Sequence, residues 1–147
     1  FRISRRLFCK TNELMTSKIT YTGDLRTVSV HIQSGVEILS DAPKDNNGKG
    51  ESFSPTDAVA NALGTCMMTI MGIKARDLAV DLLGSNIEIT KIMQAEPRRI
   101  SKIVVVLNMS ITADDKTKII LERAGMNCPV LLSLHPDIEK DITFNWK

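Results

Sequence analysis

Aromatic residues are scarce in this chain: one Trp, one Tyr and four Phe make up 4% of its 147 residues. Proteins that bind single-stranded nucleic acid use aromatic stacking platforms together with a basic groove. The formal charge is +2, of which residues 1–14 contribute +3, so the rest of the chain sums to −1. We therefore expect no nucleic-acid partner.

Cysteine and histidine are also few, with three Cys and two His in the whole chain. Cys9, Cys66 and Cys128 include no close pair, whereas a disulfide framework or a zinc ribbon requires even or clustered ligands. His31 and His135 have no metal-ligand spacing with each other or with the cysteines. The sequence predicts no metal and no cofactor, and its cysteine usage favours a reducing, cytoplasmic compartment.

The first 14 residues differ in character from the rest of the chain. They are basic but contain no apolar run of signal-peptide length. Because Met15 follows a stretch that begins with Phe1, we expect Met15 to be the original start and residues 1–14 to be a non-core extension of upstream or added sequence. Residues 15–147 have the length and composition of one globular domain.

The first part of that domain has β-strand patterns, followed by the clearest helix signal in the chain. Strands are predicted at residues 18–22, 27–32 and 36–40, and a mobile surface loop at 41–53. Ser54 is a natural N-cap, with Pro55 at the first helical position and Asp57 at the third.

No charged residue occurs from 58 to 73 in this predicted helix. Sixteen residues fall short of the ~20 that a membrane span requires, so we expect a central helix that is buried on most sides and no membrane partner. Ala60 and Gly64 lie on one stripe, where another helix could approach closely. A chain of this size has little material to cover such a helix, and we infer that a second protomer helps to cover it.

The second half returns to strands at 86–93 and 99–112, the latter apolar enough for an inner strand. A helix is then expected from an N-cap at Thr112 to a stop at Gly125, a short helix from Cys128, and a final edge strand. The order βββ-α-ββ-αα-β predicts an α+β fold with mainly antiparallel sheets around the central helix.

Two of the three cysteines have contrasting surroundings in this pattern. Cys66 lies within the central helix, where a free cysteine most often packs as a small hydrophobe. Cys128 lies at a helix start, where backbone N–H groups lower a thiol pKa, although it could equally be an unreactive capping residue. Their spacing does not show whether they meet. If they do, one thiolate could attack a peroxide and the other condense with the resulting sulfenic acid.

Two sequence segments carry a family resemblance. SPTDAVANALGTC at 54–66 and ERAGMNCPVLLSL at 122–134 resemble the paired cysteine motifs of the OsmC/Ohr family of organic hydroperoxide reductases. The similarity extends over nearly the whole chain from Thr16, and it is closest to OsmC-like members of unassigned substrate.

The resemblance implies an intertwined homodimer with two active sites at the subunit interface, and it also implies the roles of the cysteines. Cys66 would be the peroxidatic nucleophile and Cys128 the resolving thiol. The substrate would be an organic hydroperoxide, and an external dithiol would reduce the resulting disulfide.

In the family, an arginine from the N-terminal strands and a glutamate near the start of the central helix activate the first cysteine. Arg26 is the matching arginine, with Arg98 and Arg99 as the alternatives. The glutamate position is Thr56 here, and the acid stands one residue later at Asp57. Because one residue rotates a side chain by roughly 100° on a helix, Asp57 could serve only the helix start.

Other residues could complete the site that the resemblance implies. Glu51 in the loop could supply the acid instead of Asp57. We expect an apolar substrate pocket from Met67, Met71 and Phe53, and Met68 is also close in sequence, although core packing is the alternative for the methionines.

Two other functions stay open at this stage. The displaced acid favours a binding protein of the same fold that holds a small apolar ligand or a thiol adduct without efficient peroxidase chemistry. A purely structural dimer with inert thiols would require Cys66 and Cys128 to lie too far apart to bridge.

Overall fold

A computed structural model describes residues 15–147, so the predicted extension at 1–14 and Cys9 lie outside the described residues. The chain divides into two compact units, the first ending at Pro55 and the second running from Thr56 to Lys147. The elements follow the order of three strands, a helix, two strands, two helices and a strand. This confirms the α+β class and the predicted order, while the assignment of 15–147 to one domain stays a prediction.

The first unit is a three-stranded antiparallel meander of β1 (Ser17–Gly23), β2 (Arg26–His31) and β3 (Glu37–Asp41). The turn between β1 and β2 contains Gly23, Asp24 and Leu25, which all have positive φ. Glycine tolerates this conformation readily, and short polar side chains such as Asp adopt it more often than most residues. This turn starts β2 at Arg26, which pairs in register with Asp41 at the end of β3.

The segment after β3 is more structured than a mobile loop. A 3-10 helix covers Lys44–Asn46. The Gly50 N–H donates to the Ala42 carbonyl at 3.2 Å, and the Asp41 N–H donates to the Phe53 carbonyl at 3.2 Å. These bonds close the loop on the end of β3 and hold Glu51 near that strand.

Helix α1 (Pro55–Asp77) begins where its Pro55 signal predicts. One of its faces is buried, and that face carries Ala60, Leu63, Gly64, Met67, Met71 and Ala75. The opposite face includes residues that are exposed within this chain, such as Val59 and Ile73. The helix is therefore buried along one face rather than on most sides.

By length and composition alone, α1 could cross a membrane, with 23 residues and a mean hydropathy of 1.3 over its most apolar 18-residue window. The apolar part of the helix is therefore longer than the charge-free run at residues 58–73 indicated. This criterion is weak evidence, because the core helix of a soluble protein meets it as well.

The second unit contains a sheet in the order β4 (Asn86–Gln94), β5 (Arg99–Met109), β6 (Glu139–Trp146). Strand β4 pairs antiparallel with β5, and β6 pairs parallel with β5. The buried positions of β5 alternate, as one face of a central strand requires. The sheet confirms the predicted inner strand and the predicted edge strand.

Helices α2 (Asp115–Met126) and α3 (Pro129–Ser133) follow β5. The predicted N-cap at Thr112 is wrong: Asp114 caps α2, its Oδ1 accepting from the Thr117 N–H at 2.7 Å. The predicted stop at Gly125 is also early by one residue. Gly125 is buried inside the helix, where an added Cβ would lie 3.0 Å from Met71 Sδ, so this glycine permits close packing of α2 on α1.

One hydrogen bond connects the last strand to α2 and gives a stability prediction. Trp146 Nε1 donates to Glu122 Oε1 at 2.7 Å in a partly buried setting. We expect Glu122→Ala to lower the free energy of unfolding by about 1–2 kcal/mol, because it leaves the indole N–H without its acceptor. Urea unfolding followed by the fluorescence of this single Trp measures the loss.

Glu122→Gln is the matched control, since its amide oxygen can still accept the bond. A loss as large for Gln as for Ala would show that the hydrogen bond is not the cause.

Candidate active site

Cys66 and Cys128 belong to different helices of the second unit. Cys66 lies in the middle of α1 and is partly exposed, whereas Cys128 is the N-cap of α3 and is completely buried. Both are free thiols, and Cys66 lies close enough to Cys128 to contribute to the raised pKa of that thiol. The fold thus places Cys66 near Cys128, which their spacing in the sequence did not predict.

Burial raises the pKa of the Cys128 thiol above its ordinary value, and the neighbouring Cys66 adds to this effect. The Leu131 N–H donates to Cys128 Sγ at 3.4 Å and opposes the shift without cancelling it. The prediction that the helix start would lower the pKa of Cys128 is therefore wrong. Helix α3 has only five residues, so its dipole is weak beside the cost of a charge in the core.

Met67 and Met71 are fully buried members of the hydrophobic core. Both methionines therefore pack in the core, which is the alternative role expected from the sequence. Their contribution to a substrate pocket stays a prediction. Met68 instead lines a groove of about 260 Å³ between α1 and β4, together with Asn61, Gly64, Thr65, Ser85, Asn86, Ile87 and Ile89. Phe53 is exposed in the first unit.

Asp57 forms an ion pair at the start of α1. Its Oδ1 lies 2.7 Å from Lys91 Nζ, and the same ammonium donates to Thr56 Oγ1 at 2.8 Å. Lys91 therefore offsets the charge of Asp57 within the second unit. This agrees with an acid that serves the helix start, and the catalytic role of Asp57 stays a prediction.

Arg26 and Glu51 do come together, within the first unit. Arg26 Nη2 contacts Glu51 Oε2 and lies 3.4 Å from Asp41 Oδ2. Hydrogen bonds to Glu51 and then Asp41 raise the pKa of the guanidinium. Asp57 and Glu51 are the two acids that the sequence offers as partners of the arginine. Arg26 forms an ion pair with Glu51, the residue in the loop.

Asp41 is a member of this cluster that sequence reasoning missed. Its side chain is completely buried, and its Oδ2 also accepts from the Glu51 N–H at 2.9 Å. That backbone bond is the main cause that holds the pKa of Asp41 below its ordinary value, with Arg26 assisting and burial opposing. The pairing register of β2 and β3 places Asp41 opposite Arg26. Predicting that register would have identified Asp41 as a partner of the arginine.

The remaining candidates have ordinary surface partners. Arg99 Nη1 lies 3.2 Å from Asp137 Oδ2, and His31 Nδ1 lies 2.7 Å from Ser34 Oγ. Across residues 15–147, no three His, Cys, Asp or Glu side chains are grouped so that they could hold a metal ion.

Comparisons with known proteins place this chain among proteins with the same fold. The family model described as OsmC-like protein matches residues 48–143, a range that includes both cysteines. A structure from Psychrobacter arcticus 273-4, assigned to osmotic stress induction and a detoxification response, is 49% identical with a TM-score of 0.87. It covers 90% of this chain and 96% of its own. No curated protein matches the chain in sequence.

Two more distant structures share the fold and have names that mention hydroperoxides. An organic hydroperoxide resistance protein OsmC from Legionella pneumophila is 12% identical, with a TM-score of 0.67 and coverage of 90% of this chain and 98% of its own. Another, from Elizabethkingia anophelis with thiocyanate bound, is 15% identical, with a TM-score of 0.69 and coverage of 91% and 98%. On the family match and the 49% identity together, the chain belongs to the OsmC-like protein family.

Proposed function

We propose that this protein is a thiol-dependent peroxidase that reduces organic hydroperoxides, with Cys66 as the nucleophile and Cys128 as the resolving thiol. The observation that carries the proposal is the proximity of a partly exposed thiol to a fully buried one whose pKa it helps to raise. Membership of the OsmC-like family and the hydroperoxide names of structural neighbours support a redox role.

The raised pKa of Cys128 supports this division of roles. A thiol that stays protonated can donate its hydrogen bond to a neighbouring thiolate and stabilise it. Cys66 is also the more accessible of the two side chains, so a hydroperoxide can reach it first. The resemblance to the family gives the same assignment.

The reaction balances with a dithiol as the external reductant. The Cys66 thiolate attacks the outer oxygen of ROOH, the O–O bond breaks, and RO⁻ takes a proton and leaves as the alcohol. Cys66 is then a sulfenic acid. The Cys128 sulfur attacks the Cys66 sulfur, and the leaving hydroxide takes the Cys128 proton to form water and the disulfide. The dithiol restores both thiols by exchange.

The test is peroxide consumption by the reduced protein. We expect faster turnover with cumene or tert-butyl hydroperoxide than with hydrogen peroxide, using dihydrolipoamide and then dithiothreitol as reductants. Peptide mass mapping should find a bond between Cys66 and Cys128. A Cys9→Ser variant is the matched control, because it removes the third cysteine without touching the pair.

Unchanged thiols after excess peroxide would contradict the peroxidase. That outcome would favour the binding protein of the same fold, which the displaced acid at Asp57 already made the alternative.

We also propose that the protein works as a homodimer. Apolar side chains of the first unit are exposed within this chain, among them Ile19, Tyr21 and Ile38, and large exposed apolar surfaces usually contact a partner. Light scattering on a sizing column tests this, and a monomer at micromolar concentration would contradict it.

A further inference from the structure

Helix α3 is capped by a sulfur atom. Cys128 is its N-cap residue, and Cys128 Sγ accepts the hydrogen bond of the Leu131 N–H at 3.4 Å. The usual N-cap side chains are those of Ser, Thr, Asp and Asn, because their oxygen atoms accept such an N–H strongly. A thiol sulfur is a weak acceptor by comparison. The start of α3 is therefore held by a weak hydrogen bond to a group that can be oxidised.

This cap matters because little else holds the helix. Helix α3 has five residues, and none of them is buried. Pro129 at its first position has no N–H, and the Leu131 N–H has no acceptor inside the helix, as in the first turn of any α-helix. Helices of this length are marginal without contacts from outside. We therefore expect the first turn of α3 to open when the cap is lost.

The sulfur that caps α3 is also the one that the disulfide would use. A disulfide holds its two sulfurs about 2.0 Å apart, which is closer than two unbonded thiols can lie. Once the bond forms, Cys66 on α1 sets the position of Cys128 Sγ, and the Leu131 N–H no longer does. The bonded sulfur also cannot ionise, so it cannot become the thiolate that accepts an N–H strongly. Both changes weaken the cap.

We propose that α3 is a redox-sensitive element, whose first turn is ordered while Cys128 is a free thiol and opens when Cys128 is bonded to Cys66. The inference rests on the disulfide of the proposed function and goes beyond it by naming the part of the fold that responds. Leu132 of α3 is 71% exposed within this chain. The thiol and disulfide forms would therefore differ at a surface that an external dithiol can reach.

The test is amide hydrogen exchange, followed residue by residue by NMR, in the reduced and the oxidised protein. Diamide closes the disulfide without any peroxidase activity: it takes two protons and two electrons from the two thiols and becomes a hydrazine. A Cys9→Ser background keeps the third thiol out of this reaction. We expect the Leu131 amide to exchange about fivefold faster after oxidation, the effect of losing an N-cap of ordinary strength.

Helix α2 provides an internal control for this measurement. Its N-cap is Asp114, whose Oδ1 accepts from the Thr117 N–H at 2.7 Å. A carboxylate cap does not take part in thiol chemistry, so the Thr117 amide should exchange at the same rate in both states.

Two variants separate the disulfide from other effects of the oxidant. Cys66→Ser keeps the cap at Cys128 but cannot form the disulfide, so diamide should leave the exchange of its Leu131 amide unchanged. Cys128→Ser places a preferred N-cap oxygen at the start of α3. The Leu131 amide of this variant should exchange more slowly than in the reduced parent protein, with or without diamide.

The outcomes for α3 and for the peroxidase are distinguishable. An unchanged Leu131 exchange rate in protein whose Cys66–Cys128 bond is verified by peptide mapping would overturn the redox-sensitive helix, even in an active peroxidase. Failure of diamide to form that bond would overturn it as well. Faster exchange after oxidation in a protein that consumes no hydroperoxide would contradict the proposed function and support the role of α3.

Discussion

Replacing Cys66 with serine is expected to abolish hydroperoxide reduction, with a loss of at least about a thousandfold. A serine hydroxyl has no anionic form near neutral pH, and no other thiol of the second unit is exposed to the substrate, because Cys128 is completely buried. The nucleophile is lost outright, so no reductant can restore turnover. Stopped-flow or dye-coupled peroxide consumption measures the effect.

Cys128→Ser is expected to behave differently from Cys66→Ser. The first step needs only the Cys66 thiolate, so this variant should reduce about one equivalent of hydroperoxide per protomer and then stop. The sulfenic acid at Cys66 would accumulate, because the serine at position 128 cannot form a disulfide with it. A sulfenic-acid trap such as dimedone should label Cys66 in this variant and far less in the wild type.

Cys9→Ser in the same assays controls for the remaining thiol and should leave turnover unchanged. Equal activity in Cys66→Ser and Cys128→Ser would rule out the two-step mechanism. Labelling of Cys128 in the Cys66→Ser variant would reverse the assigned roles.

The sequence predicted the fold class and the order of the elements well because these depend on local signals. The capping residues Ser54 and Pro55 marked the start of α1, and the apolar alternation marked β5. The pairing of Cys66 with Cys128 was implied by a motif resemblance rather than by their spacing. Strand and helix patterns, in contrast, do not say which side chains meet.

The behaviour of the ionisable side chains was harder to predict, because it depends on their burial and on their partners. The helix-start rule predicts a lowered pKa for Cys128, but it takes no account of a core that excludes water, and the pKa is raised. Asp57 forms an ion pair with Lys91, a partner that no pattern in the sequence predicted. Asp41 looked like an ordinary loop residue, and only the strand register shows that it is buried opposite Arg26.

The loop that carries Glu51 depends on one glycine, and we expect Gly48→Ala to disrupt it. A Cβ at this position would lie 1.7 Å from the Ala42 carbonyl oxygen, a backbone atom that cannot rotate away. The loop would have to open, with loss of the bonds from the Gly48 and Gly50 N–H groups to the Pro43 and Ala42 carbonyls. Such overpacking costs about 1–3 kcal/mol, or roughly 3–10 °C in Tm for a chain of this size.

Asn46→Ala is the matched control for Gly48→Ala, since it introduces the same residue at an exposed position of the same loop. Its free energy of unfolding should stay within about 0.5 kcal/mol of the wild type. Hydrogen exchange adds a local readout: amides of residues 42–53 should lose protection in Gly48→Ala and keep it in Asn46→Ala. If Gly48→Ala kept both its Tm and this protection, the close approach of Gly48 to Ala42 would not be what shapes the loop, and the placement of Glu51 beside Arg26 would need another cause.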